Sequence, residues 1–560
     1  MILKNITFMK NILKYSFLLL GLFFIQSCSN TELDLLDNPN EVSPENAELN
    51  LVYNNVMYNF GRFLDEASDE TMPYVRMTAM DDGNQYLNQD SPTSFDFLWD
   101  LAYADLFPDI DLVISLSEGG SASKFSGSAK VVKAYVSMTL VDLFGDIPFS
   151  EAGKGAEVQN PVRDSGADVY AAALSLLDDA IAELGTPTGN PDFDLFYDGD
   201  GASWIKAANS LKIRYHVTTK LSGGSSSAIE SIVSSGNYIQ TAGEDFQYNY
   251  GSSRTTPDSR HPYYSDGYES GGPGWYMSNY YMWSMFGDKN NEDPRLRYYF
   301  YRQDCDETDE DQFTLACPAE PYPFHWPNGY PFCTASSDFG DPTGSYGGYW
   351  GRDHGDDSGI PPDDLKRTAW GLYPAGGKFD NDDCEQVSNG GTDGSLGVGI
   401  RPVLLSSYVD FLIAESILTM GVSGDARGYL QSGVEKSITK VMGFKGGAAG
   451  LAMEPTADNV MDYVNEVMAR YDNANADGKM NVLMTEYWLA LHGNGIDGYN
   501  NYRRTGLPAD MQPTLEADPG QFARSLWYPA NFVNLNSSIS DQKSISDQIF
   551  WDTNPAGFIK

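Results

Sequence analysis

The chain has 560 residues, with 78 acidic and 36 basic side chains and a formal net charge of −42 at pH 7. This length allows a large hydrophobic core and favours either several domains or one large helical assembly. The negative charge repels phosphate backbones and anionic lipid, so the composition argues against a nucleic-acid-binding protein and, more weakly, against polyanionic ligands.

The first 27 residues have the layout of a signal peptide. Three lysines, Lys4, Lys10 and Lys14, precede an apolar run from Phe17 to Ile25. This run is shorter than the roughly 20 apolar residues that a membrane-spanning helix requires. It ends in IQSC (25–28), which resembles a bacterial lipobox, so we predict cleavage before Cys28 and lipid modification of that cysteine. An ordinary signal peptide followed by a chance cysteine is the alternative.

Residues 28–50 are expected to be a flexible lipidated tether. They are polar and acidic and contain Pro39 and Pro44. Acyl chains gain about 0.8 kcal/mol per buried CH₂, so a multiply acylated Cys28 would anchor a soluble body without a spanning helix. The functional domain is then expected to occupy residues 51–560.

Helical periodicity is clear on both sides of the middle of the chain. Apolar residues recur at three- and four-residue steps, at Val132, Tyr135, Val136, Leu140 and Leu143, at Tyr170, Leu174, Leu177, Ile181 and Leu184, and at Tyr463, Val464, Val467, Met468 and Tyr471. Such stripes are typical of core-facing amphipathic helices. We therefore predict a helical scaffold over about 51–240 and 401–560.

The region of about 241–400 is different, because glycine, proline, aspartate and aromatic residues replace the helical pattern. HPYYSDGYESGGPGWYMSNYYMW (261–283) is an example. A long irregular stretch in a large domain is usually functional or disordered, and this richness in aromatic side chains argues against disorder. We predict a loop-rich part that bears a ligand site.

Four cysteines fall in or near this loop-rich part. They are Cys305, Cys317, Cys333 and Cys384. Because the chain is expected to be exported, they predict up to two disulfides with three possible pairings. Their spacings are unlike those of zinc sites.

Several segments resemble the SusD/RagB family of surface nutrient-binding lipoproteins. They are VVKAYVSMTLVDLFGDIPFSEA (131–152), DGDGASWIKAANSLKIRYHVTTKL (198–221), NNEDPRLRYYF (290–300), DGKMNVLMTEYWLALHGNGIDGYNNYRRTGLP (477–508), RSLWYP (524–529) and FWDTNP (550–555). The resemblance implies a mainly α fold in which tetratricopeptide-like helix pairs support the loop-rich part. It also implies a lipid-anchored protein on the outer face of the outer membrane, acting as the lid of a SusC-like TonB-dependent transporter that takes up oligosaccharides. Peptides are the alternative ligand.

A glycan site requires aromatic rings for the faces of the sugars and polar groups for their hydroxyls. Three loops of the chain supply both kinds of group, and the first of these loops also contains Asp81 and Asp82. The candidate ligand-binding residues are Asn84, Tyr86, Tyr263, Tyr264, Trp275, Tyr276, Tyr280, Trp326, Tyr349, Trp350 and Arg352. For any single ring, packing against the helices is the competing interpretation.

The sequence contains no strong catalytic or metal motif, and no cofactor is expected. A surface glycoside hydrolase is the third hypothesis, because Asp353, His354, Asp356 and Asp357 lie together in 351–382. A solvated loop is the favoured interpretation of that segment. A structural calcium ion at Asp304, Asp306 and Asp309 is a further hypothesis, since oxygen ligands suit Ca²⁺.

Two further features are interpreted as structural. NANADGKMNVLM (473–484) mimics a calcium loop, but its last position is Met484 instead of a glutamate, so a turn before a helix is favoured. Arg503 and Arg504 stand in a very acidic chain at the end of a predicted helix, where pairing with buried carboxylates is expected.

Overall fold

A computed structural model of the protein describes residues 47–80, 83–269, 274–305, 348–357, 367–444 and 451–559. The chain divides into two units, Met1–Glu48 and Leu49–Lys560, and the first of these is described only at residues 47 and 48. The predicted signal peptide (1–27), Cys28 and most of the tether lie outside the described residues. They stay predictions.

Helices dominate the first half of the second unit, as the periodicity predicts. They are α1 (Leu49–Asp69), α2 (Asp96–Asp100), α3 (Phe107–Leu116), α4 (Ser123–Phe144), α5 (Gly166–Leu184), α6 (Gly201–Thr218) and α7 (Ser226–Ser235). Short 3₁₀ helices at Pro73–Val75, Pro92–Phe95, Gly155–Glu157 and Ala242–Glu244, and a π-helix at Leu101–Leu106, lie between them.

The middle of the chain combines short elements with irregular segments, in agreement with the loop-rich interpretation. The elements are β1 (Phe246–Asn249), α8 (Pro262–Gly267), α9 (Asn279–Phe286), α10 (Leu296–Tyr299), β2 (Phe300–Tyr301), β3 (Ala369–Trp370) and β4 (Ile400–Leu404). β1 pairs antiparallel with β4, with a bulge between Phe246 and Gln247, and β2 pairs antiparallel with β3.

Helices return at the C-terminal end. They are α11 (Ser406–Met420), α12 (Ala426–Met442), α13 (Ala457–Asn473), α14 (Ala476–Ala490), α15 (Gly495–Thr505) and α16 (Ala530–Leu535). The predicted mainly α fold class is confirmed. Within the ranges described, no helix is both long enough and apolar enough to cross a membrane.

Neighbouring helices pack as pairs, most extensively α4 with α5, α5 with α6, and α11 with α12. In α5 the sequence explains both the start and the buried face. The Ser165 side chain accepts a hydrogen bond from the Asp168 N–H at 3.2 Å and so caps the helix. Tyr170, Leu177 and Leu184 are buried against the neighbours, and full burial of each such leucine contributes about 1.5–3 kcal/mol.

The aromatic middle region is held against α14. The Tyr281 ring lies 4.4 Å from Trp488, edge to face, and the Tyr281 hydroxyl donates to the Leu489 carbonyl at 3.0 Å. The Trp488 indole N–H in turn donates to the Val75 carbonyl at 2.9 Å. These contacts connect the loop-rich part to the scaffold and to the segment that follows α1.

A disulfide bond joins two segments of the loop-rich part. It joins Cys305 to Cys384, which are 79 positions apart, with their Cα atoms 5.7 Å from each other. Beside it the Arg302 guanidinium donates to Asp380 at 2.7 Å. Cys317 and Cys333 lie outside the described residues, so the second predicted disulfide stays a prediction.

The calcium-like segment and Arg504 agree with their structural interpretation, whereas Arg503 is buried but bonds to backbone carbonyls instead of a carboxylate. The side chain of Asn475 accepts from the Gly478 N–H at 2.9 Å and caps α14, so NANADGKM is a helix start. Arg503 and Arg504 are buried. Arg503 donates to the backbone carbonyls of Asp142 and Arg524, both at 2.6 Å, whereas Arg504 forms a buried ion pair with Glu415.

Candidate functional site

The structure does not gather the predicted ligand residues into one surface. Trp275 and Tyr276 line a cleft of about 260 Å³. Tyr280 lines a second of about 100 Å³, and Tyr86 lines a third of about 390 Å³. Asn84 is half-buried and lines none of these three clefts. Asp81, Asp82 and Trp326 lie outside the described residues.

The other described candidates are enclosed by the protein. Tyr263, Tyr264, Tyr349, Trp350 and Arg352 each expose 2 % of their surface or less. Their polar atoms bond internally: the Tyr264 hydroxyl donates to the Asp393 carbonyl at 2.8 Å, that of Tyr349 to Asp380 at 3.0 Å, and the Trp350 indole to the Asp304 carbonyl at 3.0 Å. These contacts match the competing interpretation of packing.

Trp275 is the exception among these rings, because it is only half-buried. The space beside it, which we call the Trp275 cleft, is lined by Trp275 and Tyr276 and by six polar side chains, Asp69, Glu70, Thr78, Gln89, Asp90 and Ser94. An indole surrounded by carboxylate, amide and hydroxyl groups can hold the apolar face of a ring-shaped ligand and bond its polar edge. The second cleft also combines an indole, that of Trp283, with carboxylate, amide and hydroxyl groups, but it is smaller and two cations, Lys289 and Arg470, line it as well. The third cleft has no tryptophan in its described lining.

Backbone pairing fixes the position of Trp275 in the cleft wall. The Ala79 N–H donates to the Tyr276 carbonyl at 2.9 Å, and the Arg352 N–H donates to the Met277 carbonyl at 2.9 Å. Gly351 permits this approach, since a Cβ atom there would lie 2.1 Å from the Met277 carbonyl oxygen. The segment carrying Trp275 is therefore held between two segments that are distant in sequence.

Tyr276 supports the same wall from behind. Its ring lies between two guanidinium groups, with the Cζ atom of Arg367 3.9 Å and that of Arg352 4.7 Å from the ring centroid. Such cation–π contacts contribute about 0.5–2 kcal/mol each. Arg352 also donates to Asp356 at 3.1 Å, so this predicted ligand residue has a supporting role in the structure.

Asp69, the last residue of α1, lies at the base of the Trp275 cleft above a buried network. The Tyr263 hydroxyl donates to its carboxylate, and Arg401 donates to the Tyr263 hydroxyl at 2.7 Å and to Asp65 at 2.7 Å. The Trp275 ring packs edge to face on Tyr263 with centroids 4.8 Å apart. Tyr263, which was predicted as a ligand contact, thus contacts both Asp69 and Trp275 from within the protein.

Burial raises the pKa of Asp69 to about 7, against the opposing effects of Arg401 and the Tyr263 hydroxyl. Asp65 and Glu66 raise it further by charge repulsion. The side chain nevertheless keeps 31 % of its surface exposed. Asp69 therefore gains its negative charge around neutral pH while it faces the cleft.

We expect Asp69 to titrate with a midpoint near pH 7 in the folded protein. Because its folded pKa is above the unfolded value of about 3.9, its contribution to stability is fully present below about pH 4 and is lost as the pH rises through 7. Carbon NMR of labelled aspartate carboxyls would measure the midpoint, with Asp69→Asn identifying the resonance. A midpoint below 5 would contradict this account.

Asp90 and Gln89 also line the cleft. The Tyr74 hydroxyl donates to Asp90 at 2.6 Å. Gln89 is 8 % exposed, and its side-chain oxygen is buried with no hydrogen-bond partner among the described residues. An unsatisfied buried amide costs about 1–3 kcal/mol. Because that oxygen is enclosed by protein, the Gln89 side chain can meet a ligand in the cleft only through its other atoms.

The interpretation of 351–382 as a solvated loop is wrong at Asp353, His354 and Asp356, all of which are buried, whereas Asp357 is exposed. Tyr86 and His354 are within hydrogen-bonding distance at 3.1 Å, and Gln512 donates to Asp353 at 2.7 Å. Burial lowers the pKa of His354 well below its ordinary value. The cluster is a polar core, closed to a substrate in this structure.

No group of metal-binding side chains is found within the described ranges. The suggested calcium ligands Asp306 and Asp309 lie outside those ranges, and Asp304 lies beside the disulfide. A calcium ion at that place stays a prediction.

Sequence reasoning missed the polar lining of the Trp275 cleft. Asp69, Glu70, Gln89 and Asp90 come from a segment about 200 positions before Trp275. In a chain with 78 acidic residues, neither their type nor their spacing distinguishes them from surface carboxylates. One sequence pattern could have pointed to them: polar residues are frequent in the loop between α1 and α2, close in sequence to the candidates Asn84 and Tyr86.

The family model for SusD-like proteins, described as "Starch-binding associating with outer membrane", matches residues 38–315 and 375–529. No curated protein matches the sequence at a significant level.

Solved structures share the fold. A SusD homolog from Bacteroides fragilis superposes with a TM-score of 0.65 at 18 % identity, covering 91 % of this chain and 100 % of its own. A SusD/RagB family protein from Bacteroides thetaiotaomicron gives 0.64 at 17 % identity, covering 91 % and 100 %. A chitin-binding SusD homolog from Flavobacterium johnsoniae gives 0.61 at 17 % identity, covering 90 % and 98 %.

Proposed function

The chain belongs to the SusD/RagB family, and from this premise we propose that it is a cell-surface lipoprotein that binds oligosaccharides at the Trp275 cleft. The family description associates its members with the outer membrane and with starch. A chitin-binding relative of the same fold extends the ligands to another glycan. The coarse assignment, a glycan-binding protein associated with the outer membrane, has the strongest support.

The observation that carries the proposal is the composition of the Trp275 cleft. Trp275 is half-buried, and Asp69, Asp90 and Gln89 supply carboxylate and amide groups around it. A pyranose ring has an apolar C–H face and an edge of hydroxyl donors, so it matches both parts of this lining. The volume of about 260 Å³ suits one or two sugar rings of a longer chain.

The lipid anchor and the transporter are the finer parts of the proposal. Cleavage before Cys28 would leave a lipidated tether of residues 28–50, and the folded body would act as the lid of a SusC-like TonB-dependent transporter. Family membership supports this role. A lid requires a flexible attachment, which the polar, proline-containing tether provides.

Binding without turnover is proposed, because the family description and the chitin-binding relative name binding. The peptide alternative has less support, since a peptide site of the strand-pairing kind requires free backbone groups. In the cleft wall, Ala79 already pairs with the backbone of Tyr276.

The proposal is tested by calorimetric titration with neutral and acidic oligosaccharides and with a protein digest. We expect saturable binding of at least one glycan and no release of products after long incubation. Gln89→Ala should weaken that binding about fivefold, because one hydrogen bond to a neutral group contributes roughly 1 kcal/mol. Gln431→Ala on α12, which is not part of the cleft, is the matched control. Binding of peptides alone would favour the peptide-binding lid, and glycan cleavage would favour the hydrolase.

A further inference from the structure

The two oxygens of the Asp69 carboxyl group have different surroundings. Oδ1 accepts a hydrogen bond from the Tyr263 hydroxyl and lies 3.9 Å from the Arg401 guanidinium. Oδ2 accepts no hydrogen bond from the residues that the structure describes, and they do not enclose it. The Asp69 side chain keeps 31 % of its surface exposed and lines the Trp275 cleft. Oδ2 is therefore available to accept a hydrogen bond from a ligand.

Tyr263 holds both this carboxyl group and the indole of the cleft in place. Its hydroxyl accepts from Arg401 at 2.7 Å and donates to Asp69. Its ring contacts Trp275 edge to face at 4.8 Å and stacks on Trp370 at 4.3 Å. Burial raises the pKa of Tyr263 well above its ordinary value, so the hydroxyl stays a donor throughout the neutral range. One buried side chain thus fixes a stacking surface and an acceptor beside it.

A neutral sugar that stacks on an indole presents its hydroxyl donors around the edge of its ring. From this geometry we infer that Asp69 is a specificity-determining residue that binds such a hydroxyl through Oδ2, and that Tyr263 is the positioning residue that holds it beside Trp275. This inference rests on the proposed glycan-binding function and names the contact that selects the ligand. The ligand class is a neutral glycan.

The charge of Asp69 makes this contact measurable. Burial raises its pKa to about 7, and a hydrogen bond to an ionised acceptor is roughly twice as strong as one between neutral groups. The affinity for a neutral sugar should therefore rise as the pH rises through 7. Several other charged groups face Asp69, so a variant must separate its titration from theirs. They are Asp65 and Glu66 on α1, Glu70 directly after α1, Asp90 in the following loop and Arg401 on β4.

The test is calorimetric titration of the full chain between about pH 5.5 and about pH 8.5 with two neutral probes. They are an α-1,4-linked glucose heptasaccharide and a β-1,4-linked N-acetylglucosamine hexasaccharide. Neither probe titrates in this range, so a change of affinity reports on the protein. We expect about fivefold tighter binding at the upper pH, with a midpoint near 7. Asp69→Asn should remove this pH dependence, with an affinity close to that of the natural chain at the lower pH.

Tyr263→Phe tests the positioning role. It keeps the ring against Trp275 but removes the hydroxyl, which lowers the pKa of Asp69. The midpoint of the affinity curve should therefore move to higher pH. Tyr408→Phe is the matched control, because Tyr408 is equally buried and its hydroxyl donates to the Ala490 carbonyl at 3.1 Å. Its midpoint should stay unchanged, since a loss of stability alone does not shift the titration of Asp69.

The outcomes separate this inference from the proposed function. Glycan binding that is independent of pH, or equally dependent on pH in Asp69→Asn, would overturn the role of Asp69 and leave glycan binding in place. An unmoved midpoint in Tyr263→Phe would overturn the positioning role. If neither probe binds, the neutral oligosaccharide of the panel that does bind takes their place, and binding of acidic oligosaccharides alone would overturn the inference. Failure of every oligosaccharide to bind would overturn both. The pH series of the natural chain holds even if a variant does not fold.

Discussion

Replacing Glu415 with glutamine is expected to destabilise the protein by about 3–5 kcal/mol, because it leaves a buried arginine and a half-buried lysine without their carboxylate. Glu415 lies on α11 and is fully buried. It accepts from Arg504 of α15 at 2.5 Å and from Lys220, just after α6, at 2.8 Å. The three groups connect the N-terminal and C-terminal helices, so urea denaturation followed by circular dichroism should show an earlier transition.

The pH dependence gives this prediction a second readout. Burial alone would raise the pKa of Glu415, but Arg504 and Lys220 lower it to about 2. A depressed carboxyl pKa contributes stability above the unfolded pKa of about 4.3, and that stability is lost as the pH falls towards the folded value. The difference between the natural chain and Glu415→Gln should therefore be complete at pH 7 and much smaller at pH 3.

Glu435→Gln is the matched control, since Glu435 is exposed on α12 and accepts from Gln431 at 2.8 Å. A surface change of this kind is expected to alter stability by less than about 0.5 kcal/mol. If Glu415→Gln cost no more than this control, the buried cluster would not be a source of stability.

The sequence predicted the helical parts of the fold well, and the reason is local. The stripe containing Tyr170 and Leu177 repeats every three or four residues, and such a pattern buries a face only as a helix. Arg504 was also interpreted correctly, because an arginine in so acidic a chain at the end of a helix has abundant carboxylates to pair with. Its partner Glu415, 89 positions away, could not be named.

Non-local contacts explain what the sequence could not predict. Asp353 and His354 resemble part of a solvated acidic loop, yet both are buried. Asp353 accepts a hydrogen bond from Gln512, which lies 159 positions later in the chain. His354 is within hydrogen-bonding distance of Tyr86, which lies 268 positions earlier. The candidate site shows the same limit. Its rings were proposed from composition, but their exposure depends on the tertiary packing that buries Tyr264 and leaves Trp275 open.

Trp275→Ala is expected to weaken glycan binding about 30-fold, because removal of a central aromatic anchor from a binding site typically costs 2 kcal/mol or more. The indole stands edge to face on Tyr263 at 4.8 Å and is 6.4 Å from Trp370, so its orientation is set by the protein before any ligand arrives. Trp275→Phe should keep most of the affinity, since a smaller ring can still stack. Calorimetric titration with the best glycan of the panel measures both.

Trp283→Ala is the matched control for this prediction. Trp283 is also half-buried and lines the second cleft, next to Tyr280. Both alanine variants lose a half-buried indole, so thermal unfolding should show comparable losses of stability. Only Trp275→Ala should lose the glycan, because only Trp275 lies beside Asp69, Gln89 and Asp90. Loss of binding in Trp283→Ala with full binding in Trp275→Ala would move the site to the second cleft. Full binding in both would remove these two rings from the site.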